Sequence, residues 1–204
     1  MFFVLLQDYQ KYTNITYIRC LMLSIVLSRR DFREFDQMIS VYTKEKGKLN
    51  LLARGVKKII SKNSAHLEPF SLVDIEIARG KEIDHLTKVV PINYFSNIRA
   101  DFQKSLAAGF VASTTDKLIH TNEPDKRIFD LLKSWLEYLN LQLTTSTTLQ
   151  LVDDYIVKLL NCLGYDISQV KSNPDHDFIY QFLLFHTERK VADWADLTKI
   201  SVDL

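Results

Sequence analysis

Cysteine is scarce in this chain of 204 residues: only Cys20 and Cys162 are present, far apart in sequence. Two distant cysteines suggest no disulfide framework and read as the reduced thiols of a cytosolic protein. Long apolar runs are missing as well. Residues 2–6 are too few for a signal-peptide core or a bilayer span, and the longest later run, 21–27, is interrupted by Ser24 and closes on Arg29 and Arg30. The chain is therefore expected to be neither exported nor membrane-embedded. Glycine numbers only five, and Gly55 has neither the glycine partners nor the Lys-Ser/Thr ending of a phosphate loop. The five histidines, His66, His85, His120, His176 and His186, show no metal-ligand spacing among themselves or with either cysteine. Repeats and low-complexity tracts are absent.

What is present is unevenly placed. A net charge of +1 hides a basic stretch, residues 19–62, with eleven Lys/Arg against four Asp/Glu. Residues 100–204 carry ten against fifteen. One half is basic and the other acidic, which suggests two parts with different partners. The densest point is A-R-G-V-K-K-I-I-S-K, residues 53–62, with four cations and no anion. Such a cluster suits an anionic polymer better than a small substrate; the plainer alternative is a solvated basic loop.

The first half reads as strands. Residues 17–27 are rich in Ile, Leu, Val and Tyr, and 35–42 alternate as F-D-Q-M-I-S-V-Y. A polar turn over 43–47, ending in Gly47, joins this run to 48–53 as a β-hairpin. Residues 71–78, S-L-V-D-I-E-I-A, put Val73, Ile75 and Ile77 on one face and Leu72, Asp74, Glu76 and Ala78 on the other. A turn at Arg79-Gly80-Lys81 leads to a last strand over 86–90, ended by Pro91. Five short strands within about eighty residues predict a small barrel. The second half changes to helical spacing: Ile98, Phe102, Leu106, Phe110 and Val111; then Ile128, Leu131, Leu132, Trp135, Leu136 and Leu139; then 149–163, stopped by Gly164. One or two further helices are expected around Phe178, Phe182, Phe185 and Trp194. The predicted class is α+β, an N-terminal β-barrel followed by an α-helical domain.

Catalytic readings fare poorly. Asp153-Asp154 and Asp175-His176-Asp177 fit solvated or helix-capping roles, so no enzyme is expected. A binding reading fares better. Arg29 and Arg30 end the first strand, Lys44, Lys46 and Lys48 surround the hairpin turn, and Arg54, Lys57, Lys58 and Lys62 follow the third strand. Cations on barrel loops that converge on one groove bind single-stranded nucleic acid without sequence preference. For Phe32, Phe35 and Tyr42 burial is favoured over base stacking, because strand aromatics are usually core residues. Gly47 and Gly55 are expected as turn glycines. At Gly55 the need is a positive φ or a close backbone approach.

Three ordered motifs in this region, I-V-L-S-R-R-D-F-R-E-F-D from Ile25, V-Y-T-K-E-K-G-K from Val41 and L-L-A-R-G-V-K-K from Leu51, resemble the N-terminal domain of the RecO family of bacterial recombination mediators. H-L-E-P-F-S from His66 and V-K-L-L-N-C-L-G-Y from Val157 extend the resemblance over roughly residues 18–165. It implies an OB domain over 18–93 and a helical domain over 94–204. It further implies binding of single- and double-stranded DNA, annealing of complementary strands, cooperation with RecR, and recognition of the acidic C-terminal tail of single-stranded-DNA-binding protein. A cytoplasmic, nucleoid-associated location goes with that role. Many family members carry a four-cysteine zinc site after the L-G-Y segment. Here D-I-S-Q-V-K-S-N-P-D-H-D follows Tyr165, so no zinc or other cofactor is expected. The C-terminal part is short for the family. Residues 1–17 precede the family's usual first strand and read as an added segment or an upstream start codon, with Met22 close to the usual beginning. The rival reading is a protein-interaction adaptor whose basic barrel face docks an acidic peptide.

Overall fold

The computed structural model describes residues 21–58, 64–142, 148–167, 171 and 174–187. The segment 1–17, Lys62 and the tail around Trp194 lie outside them. Five strands form a closed barrel: β1 (Met22–Asp31), β2 (Gln37–Thr43), β3 (Gly47–Ala53), β4 (Leu72–Ala78) and β5 (His85–Asn93). Their order around the barrel is β1-β2-β3-β5-β4, that of an OB-fold. Alternation explains the interior. Val26, Ile39, Val41, Leu49, Leu51, Val73, Ile75 and Val89 point inward and form the barrel core. Val56 and Leu67, from the connector between β3 and β4, add to that core.

The strand limits differ from the sequence pattern in instructive ways. β1 begins at Met22 and runs on through Arg29 and Arg30 to Asp31, because those residues pair with Ile39, Met38 and Gln37 of β2. Pro91 does not end β5 but lies within it, opposite Val73, where the register with β4 shifts. Its missing N–H is tolerated because β5 meets β3 only through the parallel pair Leu52–His85.

Five α-helices follow among the described residues: α1 (Ser96–Ala100), α2 (Phe102–Leu118), α3 (Lys126–Leu141), α4 (Thr148–Cys162) and α5 (His176–Thr187). The helix expected from Asn97 onward is broken at Asp101, whose backbone is extended and whose side-chain carboxylate caps α2 by accepting from the Lys104 N–H. The break turns Phe102 outward, 79% exposed, so it does not belong to the apolar stripe. The α3 stripe is buried through Ile128, Leu132, Trp135, Leu136 and Leu139. Gly164, at φ +89, follows the last turn of α4. Asp175 caps α5 through the Phe178 N–H, the ordinary role expected for that carboxylate.

Barrel and helices share one apolar core. Ile25, Leu27, Tyr42 and Leu72 leave the barrel's outer surface to pack with Val111, Ile128, Phe129 and Tyr155. Polar contacts reinforce the joint. Asp116 of α2 accepts from Ser28 Oγ at 2.7 Å and Ser40 Oγ at 2.6 Å, and pairs with Lys48 Nζ at 2.9 Å. Burial pushes the Asp116 carboxyl up, but hydrogen bonds from Ser40, Lys48 and Ser28 outweigh it and hold the group below its ordinary value.

Candidate nucleic-acid interface

The barrel has two ends, and the predicted cations divide between them. β1 and β3 run in one direction with β2 between them in the other. The β1–β2 loop (residues 32–36) and the segment after β3 (54–58) therefore meet at one end, beyond the pairs Asp31–Gln37 and Gln37–Ala53. The β2–β3 hairpin closes at Thr43–Gly47, at the other. A seven-residue strand separates the two by roughly 20 Å.

At the loop end the backbone is tightly tied. Lys57 N–H donates to Phe35 O at 3.1 Å, Gly55 N–H to Asp36 Oδ1 at 2.8 Å, and Lys58 N–H to Gly55 O at 3.1 Å. Gly55 takes φ +63 with no backbone atom near the position of a Cβ. Of the two reasons for glycine there, positive φ is the operative one. Val56 sits in the barrel core, 3% exposed, which leaves Arg54, Lys57 and Lys58 facing solvent around it. The R-G-V-K-K segment is thus a plug with charged sides.

Arg30, Arg54 and Lys58 are exposed, and no carboxylate pairs with them among the described residues. Lys57 pairs with Asp31 Oδ2 at 2.8 Å. Hydrogen bonds from Gln37 and then Lys57 hold the Asp31 carboxyl below its ordinary value. Arg29 pairs with Glu68 at 2.7 Å and is only part-exposed. Phe32 and Phe35 depart from the expected burial: they are 43% and 44% exposed. Both lie in the turn beyond Asp31 rather than in a strand, and no described residue covers them fully. The Arg33 guanidinium lies 5.1 Å from the centre of the Phe32 ring, and Lys58 Nζ lies 5.7 Å from that of Phe35. Tyr42, by contrast, is fully buried as expected.

Arg79 and Lys81, which sequence reading treated only as a turn, come to the same end. The β4–β5 turn is brought there by the Leu52 N–H, which donates to Asp84 O at 2.9 Å, and both side chains are exposed. A Cβ at Gly80 would fall 1.8 Å from Ile83 O, so that turn requires glycine. The parallel β3–β5 contact was the signal needed to find these cations, and it is invisible in linear sequence.

The hairpin end is different. Lys48 is drawn inward to Asp116, and its ammonium also donates to the carbonyls of Asp116 and Ile119. It does not join the exposed cations. Gly47 takes φ +70, and a Cβ there would lie 2.2 Å from Glu123 O, so the hairpin tip is pressed against the α2–α3 connector. Asn122 N–H donates to Lys48 O at 2.9 Å, and the Tyr42 hydroxyl accepts from Asp125 N–H at 3.1 Å. Lys44 and Lys46 stand at this end, away from Arg30, Arg54 and Lys58.

Among the described residues no three His, Cys, Asp or Glu side chains are grouped to hold a metal ion, and no helix is long and apolar enough to cross a membrane. A groove of about 320 Å³ between α3 and α4 is lined by Leu131, Ser134, Trp135, Tyr138, Leu151 and Tyr155, with Asp154 and Lys158 as an opposed pair of charges.

The family model described as Recombination protein O N terminal matches residues 22–95, and that described as Recombination protein O C terminal matches residues 99–171. A protein of Desulforamulus reducens named DNA repair protein RecO is 32% identical over 116 residues, 57% of this chain and 45% of its own length. Proteins of the same name from Roseiflexus sp. and Geobacter sulfurreducens are each 30% identical. They match over 70% and 74% of this chain and over 49% and 60% of their own lengths. The chain thus spans about half the length of the curated relatives it matches.

Proposed function

The chain belongs to the recombination protein O (RecO) family, and from that premise we propose that it is a DNA repair and recombination mediator. It binds single- and double-stranded DNA without sequence preference, anneals complementary strands and, with RecR, loads the recombinase. The observation that carries this reading is the loop end of the barrel, where Arg30, Arg54, Lys58, Arg79 and Lys81 stand exposed beside two uncovered rings. In OB-folds the β1–β2 and β4–β5 loops flank the nucleic-acid groove.

The chemistry needs no active site, and no catalytic residue is assigned. Cations that neutralise two phosphate backbones lower their mutual repulsion and leave base pairing to drive the product. The working division is a DNA-binding barrel over 18–93 and a helical part over 94–204 that meets protein partners, in the cytoplasm and at the nucleoid. Recognition of the acidic tail of single-stranded-DNA-binding protein belongs to the helical part; the groove between α3 and α4 offers it apolar walls, but there Asp154 offsets the charge of Lys158.

Fluorescence anisotropy with labelled oligonucleotides tests the binding claim. Replacing Arg54, Lys57 and Lys58 together by Ala should weaken both DNA forms. On single strands it should lower the slope of log affinity against log salt by about 2, at roughly 0.7 per phosphate contact. Unchanged binding would end the claim. Strand annealing, with and without single-stranded-DNA-binding protein, tests the mediator role. An acidic-peptide adaptor would bind its peptide through the same face and leave annealing rates unaltered.

A further inference from the structure

We propose that Phe32 and Phe35 form a base-stacking pair that makes the loop end of the barrel prefer unpaired over paired DNA. The inference rests on the DNA-binding reading above and deepens it by assigning the site's selectivity to two uncharged side chains. Exposed phenylalanine is costly: each ring would give up 150–250 Å² of apolar surface if fully buried. Here two rings three residues apart remain more than 40% exposed in one five-residue loop.

The loop is not loose. Phe32 N–H and Arg33 N–H both donate to Asp36 O, at 3.1 and 3.3 Å, and Asp36 N–H donates back to Arg33 O at 3.3 Å. The Lys57–Phe35 and Gly55–Asp36 bonds fix the loop to the R-G-V-K-K plug. The rings are therefore presented by a preorganised turn, which lowers the entropic cost of ordering a ligand on them. Each has a cation within stacking distance, Arg33 over Phe32 and Lys58 over Phe35. A base laid on a ring thus has a positive group beside it for its own phosphate. Ring, cation and a neighbouring row of arginines and lysines are the parts from which single-strand sites are built.

Selectivity follows from what each DNA form offers. Duplex DNA keeps its bases stacked inside and presents phosphates only, so it meets the cations and not the rings. A single strand meets both. Pairing withdraws the bases from Phe32 and Phe35, so the interface loses affinity for its own annealed product. A ligand's differential affinity is what shifts an equilibrium, and here the difference favours release of the duplex.

The test uses the whole chain with an oligothymidine and a duplex of equal length, across a salt series. Phe32→Ala/Phe35→Ala should lose affinity for the single strand by roughly tenfold per ring. Duplex affinity and both salt slopes should stay unchanged, because no phosphate contact is removed. A fluorescent base analogue quenched by stacking should lose its quenching on this variant and regain it on Phe32→Trp/Phe35→Trp. Equal loss on both DNA forms would overturn the stacking assignment and make the rings mere supports of the basic loop. No loss on either form would overturn it too. Failure of the unaltered chain to bind either form at low salt would remove the DNA-binding reading and this inference together.

Discussion

At the hairpin end of the barrel Lys48 lies against Asp116 and two backbone carbonyls; at the loop end Arg30, Arg54 and Lys58 face water. The residues are of one chemical kind and sit on neighbouring strands and loops. What differs is the neighbour. α2 covers the outer surface of β1, β2 and β3 near the hairpin, and a cation under a helix must be neutralised and hydrogen-bonded. Beyond the ends of β1 and β3 no α-helix arrives among the described residues, and a cation there faces water. The barrel is thus anchored at one end and open to solvent at the other.

The largest effect that would sharpen this contrast comes from Asp116→Ala. It leaves the part-buried Lys48 ammonium without its carboxylate and should cost about 3 kcal/mol. The midpoint of thermal unfolding should then fall by about 6–12 °C at this chain length. The salt slope of DNA binding should not move. A lost slope in a variant still folded would break the division between the ends.

Acid should reveal the same group. The folded Asp116 carboxyl lies below its unfolded value of 3.8. Its contribution is therefore present above that value and lost as pH falls through the folded one. Stability followed by denaturant titration should drop on going from about pH 5 to 3, and Asp116→Asn should make that drop shallower.

The two glycines make a matched pair. Gly47→Ala meets both a positive φ and the Glu123 carbonyl and should cost about 2–3 kcal/mol. Gly55→Ala meets only the φ penalty, about 1 kcal/mol. Equal costs in denaturant melts would mean that the hairpin tip is less tightly seated than its geometry indicates. Smallest of all, Lys44→Ala/Lys46→Ala should change single-strand affinity by less than about twofold, measured by anisotropy. A larger loss would extend the DNA path around the barrel to its other end.

Much of the fold was legible from pattern alone. Period-two alternation marked Val73, Ile75 and the β2–β3 hairpin, and 3.6-residue stripes marked α3 and α4, because one buried face imposes its period on the sequence. The candidate site was only half legible. Alternation assigns Lys48 to the outside of β3 but does not say that α2 covers that outside. Phe32 and Phe35 carry the aromatic chemistry of a strand, yet they stand in a turn that their own propensities do not announce. Arg79 and Lys81 reach the site through a pairing between β3 and β5, more than thirty residues apart along the chain. Charge is visible in sequence; which charges share a surface is a property of closure.

That closure has a mechanical side. β3 and β5 are joined through the single pair Leu52–His85, so the barrel carries a seam along which most ladder partners are missing. A seam of this kind leaves strand-edge groups without ladder partners, the usual invitation for another chain to add a strand. β5 answers with Lys88 outside and Pro91 within, a charge and a missing donor. The seam is anchored where Asp84 accepts from Leu52, at the loop end. The barrel's weakest line of pairing is thus pinned at one end and guarded along β5 by a lysine and a proline.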